Sequence, residues 1–126
     1  MGEIATLRPL ERVEIDARRL GALRRHMGVR NSDAAMSAAL EELAYWLYHF
    51  EAARRRGETA ALAPSARRIA GLARMTGLVS VTRVAQAAEA LSEAAAPAAL
   101  AAVAARLTRI GEISILAVWD IQDMTL

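Results

Sequence analysis

The chain has only two histidines, His26 and His49, and 23 positions separate them. Two distant histidines are a poor basis for a His-rich metal site. There is no cysteine, so a thiolate nucleophile, a Cys-ligated metal and a disulfide framework are excluded. Glu41-Glu42 and the pair Glu89/Glu93 could offer carboxylates to a metal. Di-iron bundles, however, need Glu-x-x-His twice, and that spacing occurs nowhere in the chain. No serine or threonine has a defensible histidine base, and no glycine-rich phosphate loop follows a strand. No cofactor and no metal are expected. His26 falls in the last turn of a helix, where a cation suits the dipole. His49 neighbours Tyr48 and Phe50 beside an apolar stripe, which reads as a partly buried imidazole in a helix wall.

Five helical segments must position these side chains, with no convincing strand. The first runs from about Asp16, a plausible N-cap, to Met27, with Gly28 as a left-handed end. Residues 1–15 are open to either a short turn at Pro9 or an extended run. In the second, Asn31-Ser32-Asp33 offer caps and Gly57 follows Arg54-Arg55-Arg56. Met36, Leu40, Leu43, Leu47 and Phe50 recur at helical spacing within it. The third lies between Thr59 and Thr76, either starting near Ala63 with Pro64 at its first position or kinked before it. The fourth runs from Ser80, read as a cap, to about Ala94, on Val81, Val84, Ala88 and Leu91. The fifth starts at Pro97 and continues through Leu100, Val103, Leu107, Ile110, Ser114 and Ala117 to at least Val118. Connections of a few residues make consecutive helices antiparallel neighbours. The expected fold is all-α: an antiparallel up-down four-helix bundle over 32–118, a short helix within an N-terminal segment 1–30, and a tail 119–126. All 126 residues fit one domain.

Composition agrees. Hydrophobic residues make up 55% of the chain, which excludes wholesale disorder. Thirty alanines favour helix. The cations are 16 arginines and no lysine, against 14 acids. The pI of 9.9 overstates the basicity, because little titrates between neutral and strongly alkaline pH. Arginines interleave with acids rather than forming the dense stripe of a duplex binder, so nucleic acid is not an expected partner. The charged N-terminus lacks the apolar stretch of a signal peptide. The longest uncharged run is about 12 residues, short of the ~20 that span a bilayer. A soluble, cytoplasmic protein that neither spans nor coats a membrane is expected.

The third helix carries the most information. On a helical wheel, Ser65, Ile69, Leu72, Ala73 and Thr76 share about 100° of arc and form its core side. Arg67, Gly71 and Arg74 share the opposite, solvent side. Glycine in an exposed helix interior costs roughly 1 kcal/mol against alanine. In so alanine-rich a chain, Gly71 suggests close approach of another surface.

The stretch Arg67-Arg68-Ile69-Ala70-Gly71-Leu72-Ala73-Arg74-Met75-Thr76-Gly77 resembles the motif of histidine phosphotransfer (HPt) domains. These four-helix bundles relay phosphoryl groups in two-component signalling. Their motif reads His-x-x-Lys-Gly, a few small or apolar residues, then Leu/Phe-Gly. Phe50 to Leu62 resembles the family's preceding loop, and Leu78 to Leu91, ending Ala-Glu-Ala-Leu, its next helix. The likeness covers about Ser32 to Val118. Arg67 stands where the phosphoacceptor histidine would be, and Ala70 where the supporting lysine would be. Arginine stays protonated and has no lone pair with which to attack phosphorus. The resemblance therefore implies a protein that is not an enzyme and that docks a receiver domain or a sensor kinase without phosphotransfer. Arg67, Arg68, Gly71 and Arg74 would form the docking face, with Arg67 meeting the acidic receiver pocket. A structural homodimer outside phosphorelay, or a phosphotransferase using His49, are the alternatives.

The C-terminus is apolar on nearly every side, through Ile110, Ile113, Ile115, Leu116, Val118, Trp119 and Ile121. Such a helix needs a cover: the first helix, the tail or a second subunit. A homodimer built on Ile113, Leu116, Trp119 and Ile121 is expected. Tyr45, Trp46 and Tyr48 are expected to pack on the first helix or the tail, with an interface anchor as the rival.

Overall fold

The computed structural model describes residues 12–124, with side chains to position 122. Pro9 and the rest of residues 1–11 lie outside them. Five α-helices follow in order: α1 (Ala17–Met27), α2 (Val29–Arg56), α3 (Leu62–Met75), α4 (Val79–Glu93) and α5 (Pro97–Met124), with a 3-10 turn at Thr59–Ala61 before α3. No strand is present among the described residues; one isolated bridge pairs Ile15 with Leu78. No helix among them is long and apolar enough to cross a membrane.

Local chemistry explains most boundaries. The Asp16 carboxylate accepts from the amides of Arg18 and Arg19 and caps α1. Gly28 alone joins α1 to α2, at φ 84° and ψ 157°. Its φ is positive as expected, but the backbone is extended rather than left-handed helical, a combination that only glycine adopts readily. The chain therefore re-enters a helix at once. Asn31, Ser32 and Asp33 lie inside the first turns of α2 rather than capping it. Gly57 ends α2 in the left-handed region, at φ 73° and ψ 21°. Pro64 is the third residue of α3, not the first; its missing N–H would have no intrahelical partner there in any case. Ser80 is not a cap either. It lies one residue inside α4, and its hydroxyl accepts from the Glu14 amide at 2.7 Å. Finally, α5 runs on to Met124, so residues 119–124 extend the helix instead of forming a separate tail.

The helices pack as α2 on α3 and α5, α4 on α3 and α5, and α1 on α2. Met36, Leu40, Leu43, Leu47 and Phe50 of α2 are all buried, as their spacing requires. They meet Ile69 and Leu72 of α3, Val81 and Val84 of α4, and Leu100, Leu107 and Ile110 of α5 in one cluster. Each such side chain contributes about 1.5–3 kcal/mol by leaving water. Ala66 and Ala73 of α3 and Ala85 and Ala88 of α4 are fully buried. The alanine bias thus serves packing as well as helix formation. Gly111 is a second small residue at a contact: a Cβ there would lie 2.6 Å from Leu47 Cδ1.

Candidate docking face

The wheel of α3 holds. Ser65, Ile69, Leu72, Ala73 and Thr76 are buried, while Arg67, Arg68, Gly71 and Arg74 are exposed. From Arg67 to Arg74 the row is about 10 Å long, at 1.5 Å per residue.

The arginines are not equivalent. Arg67 reaches across to α4: its Nε donates to Glu89 Oε2 at 2.8 Å, and Glu93 lies 3.7 Å away. Arg68 turns the other way and binds Glu42 of α2. Trp46 Nε1 donates to the same Glu42 oxygen at 3.3 Å. The Arg68 hydrogen bond, more than any other contact, holds the Glu42 carboxyl below its ordinary value; partial desolvation opposes it and Trp46 adds to it. Of the carboxylates that could have served a metal, Glu42, Glu89 and Glu93 face guanidinium groups. Arg74 forms no ion pair among the described residues and is exposed to solvent. A third helix contributes here, because Arg19 of α1 donates through Nε to the Met75 carbonyl at 3.1 Å. Asp16, Arg19, Gly71, Arg74 and Met75 line a shallow hollow. Among the described residues, a Cβ added to Gly71 would meet nothing within 4 Å, so none of them demands glycine there.

The face offers guanidinium donors, one open stretch of helix backbone and the half-exposed Met75. Guanidinium groups of this kind can bind carboxylates.

Two expectations about α2 are corrected. His49 is exposed rather than a partly buried wall residue, and its ring lies 4.2 Å from that of Tyr45. Tyr45 and Tyr48 do not pack on α1 or the end of α5; they are 54% and 71% exposed. All three positions lie about 100° or more round the helix from the Leu43–Leu47–Phe50 stripe, which keeps them out of the core. Trp46, at the edge of that stripe, is half-buried.

At the C-terminus the apolar residues divide. Val118 is fully buried, and Ile121 joins Leu20, Leu23 and Met36 in a hollow beside α1. The first helix therefore covers that side. Ile113 is half-buried, and Ile121 keeps 36% exposure. Leu116 keeps 64% exposure and Trp119 38%.

Reasoning from the sequence missed the partners of the arginines. Glu42, Glu89 and Glu93 come from the flanking helices, and only helix packing brings them to α3. The chain has no significant match among protein-family models, curated proteins or solved structures.

Proposed function

We propose that the chain is a non-catalytic, HPt-like signalling protein whose α3 face docks a receiver domain or a histidine kinase without accepting phosphate. In this reading α2 to α5 form an antiparallel up-down four-helix bundle, with α1 as the added N-terminal helix. The pairwise packing of the helices and their short links support it.

Gly71 carries the reading. It weakens an exposed helix by roughly 1 kcal/mol relative to alanine, yet no described residue occupies the space a side chain would take. A surface arriving from outside accounts for the glycine. Arg67 and Arg74 flank it on the same face, set to meet carboxylates. The Arg67 contacts to Glu89 and Glu93 are no obstacle, since exposed ion pairs contribute only about 0.2–1 kcal/mol. A partner's carboxylates can replace them at little cost. Arg67 stands at the phosphoacceptor position of the resemblance, so docking occurs without transfer.

The test is affinity co-purification from the native cells, with Arg67→Glu and Gly71→Arg as control baits. The wild type is expected to retain a receiver-domain protein or sensor kinase that both variants lose. Equal recovery by all three baits would sink the docking face and leave a structural bundle. The exposure of His49 gives the phosphotransferase reading one supporting observation. Incubation with a phosphorylated receiver separates the two: acid-labile phosphate on the chain, lost in His49→Ala, would replace docking with transfer.

A further inference from the structure

The α3 face leaves unused a second surface, where α2 and α5 run side by side. Leu47 of α2 meets Gly111 of α5. Nearer the other end of the pair, Met36 shares a hollow with Val118 and Ile121, so the two helices are antiparallel. Between them runs a groove of about 520 Å³ that includes Tyr48, Arg55, Glu112 and Ile115 in its walls. Tyr48, in its wall, and Leu116, next in the chain to Ile115, are the most exposed large apolar side chains of the two helices, at 71% and 64%. Trp119 lies one turn beyond Ile115.

We infer that this surface binds a second copy of the chain, in an antiparallel two-fold pairing whose axis crosses α2 at the level of Tyr48. Charge pattern argues for self-pairing. Glu41 lies seven residues before Tyr48 and Arg55 seven residues after it, and all three are exposed. A spacing of seven keeps each charge within about 20° of the tyrosine on one helix face. It places the two charges about 10 Å either side of the tyrosine. Reversing one copy against another sets Glu41 of each on Arg55 of its partner and brings the two Tyr48 rings together. One α2 stripe is thus complementary to itself, which a two-fold interface requires.

The α5 half of the surface agrees. Position 110 lies at about the level of Tyr48, because Leu47 meets Gly111. Leu116 and Trp119 lie on one side of that level, and the exposed Ala102 and Ala105 on the other. The same reversal lays the bulky pair of one copy over the small pair of its partner, which is large-on-small packing. Of the residues expected at a dimer interface from sequence, Leu116 and Trp119 belong to this surface, and α1 partly covers Ile121. The pairing leaves the α3 face free. Since α3 and α5 each pack on both α2 and α4, they occupy opposite corners of the packing. The dimer would present two outward α3 faces, but its existence does not depend on what those faces bind.

Sedimentation equilibrium of the purified chain over micromolar concentrations tests the pairing, with circular dichroism as the control for folding. A dimer is expected. Leu116→Arg, at an exposed position, should give monomers of unchanged helicity. Glu41→Arg and Arg55→Glu should each weaken association roughly tenfold, since each turns two symmetry-related attractions into repulsions. The double variant E41R/R55E restores the pairing with the charges exchanged, and should recover most of the loss. A wild type that stays monomeric overturns the inference. So does a dimer that Leu116→Arg leaves intact, or whose charge exchange brings no recovery.

Discussion

The Asp16 amide donates to the Gly77 carbonyl at 2.7 Å, and a Cβ on Gly77 would lie 3.0 Å from the Asp16 carbonyl oxygen. Two residues 61 positions apart are thus held backbone to backbone, and position 77 has no room for a side chain. Around this contact residues 14–16 strap the α3–α4 turn. Val79 donates to the Glu14 carbonyl at 3.1 Å, the Glu14 amide to Ser80 Oγ, and Arg83 to the Glu14 carboxylate. Gly77 also has φ +77°, which disfavours any L side chain. Gly77→Ala should therefore destabilise the fold by about 1–3 kcal/mol, measured by urea unfolding. Amide exchange at Asp16 should accelerate. A neutral outcome would show that the strap is dispensable.

Gly71, six residues earlier, should respond in the opposite sense. It is helical and exposed, with open space where a Cβ would be. Gly71→Ala should raise stability by about 0.5–1 kcal/mol through helix propensity alone. If a partner approaches the helix backbone here, the same substitution should weaken capture of that partner. Greater stability with reduced binding is the signature of a glycine kept for docking. Greater stability with binding unchanged would remove the argument from Gly71.

What the sequence made legible was periodicity. The stripes of α2, α3 and α4 are buried almost as spaced, and Asp16 through its carboxylate, with Gly57 and Pro97 through their backbones, marks helix boundaries. Where expectation failed, a tertiary contact decided. Ser80 has the composition of a cap but bonds to Glu14, 66 positions away. Ser32 looks like a cap, yet the glycine before Val29 lets α2 begin three residues earlier. Arg67 and Arg68 were readable as solvent-facing. Their opposite pairings, to α4 and to α2, depend on how the helices assemble. Gly111 gave no signal, because its reason is Leu47 on another helix.

Glu51 gives a pH dependence with a definite sign. It accepts from Arg54 Nε at 2.9 Å and Nη2 at 2.8 Å, and from Arg55 Nε at 2.8 Å. The Arg54 hydrogen bonds, ahead of the Arg55 bond and against some desolvation, hold its carboxyl below the usual value of 4.5, while Arg54 is raised in turn. A carboxyl depressed in the folded state stabilises the fold above its unfolded pKa, and that contribution fades as pH falls through the folded value. Glu51→Gln should therefore cost less than about 1 kcal/mol at pH 7, as a partly exposed cluster allows. The difference from wild type should shrink below about pH 4.5. Thermal melts of both proteins between pH 3 and pH 7 check this. A gap that persists unchanged at pH 3 would assign the effect to shape rather than charge.

Arg67 separates stability from recognition. It is 60% exposed and bridges α3 to Glu89 and Glu93. Arg67→Gln removes the cation without adding a charge, and should cost under about 1 kcal/mol, since exposed pairs are weak. Arg67→Glu places a third carboxylate beside two others. Its penalty should be larger, because like charges repel. Thermal melts of both variants at pH 7 read this directly. Docking predicts a different ranking for partner capture. Both variants should lose the acidic partner, because either one removes the guanidinium that meets it, even though Arg67→Gln stays nearly as stable as wild type. If Arg67→Gln captures partner as well as the wild type does, Arg67 only ties α3 to α4 and the face recognises nothing through it.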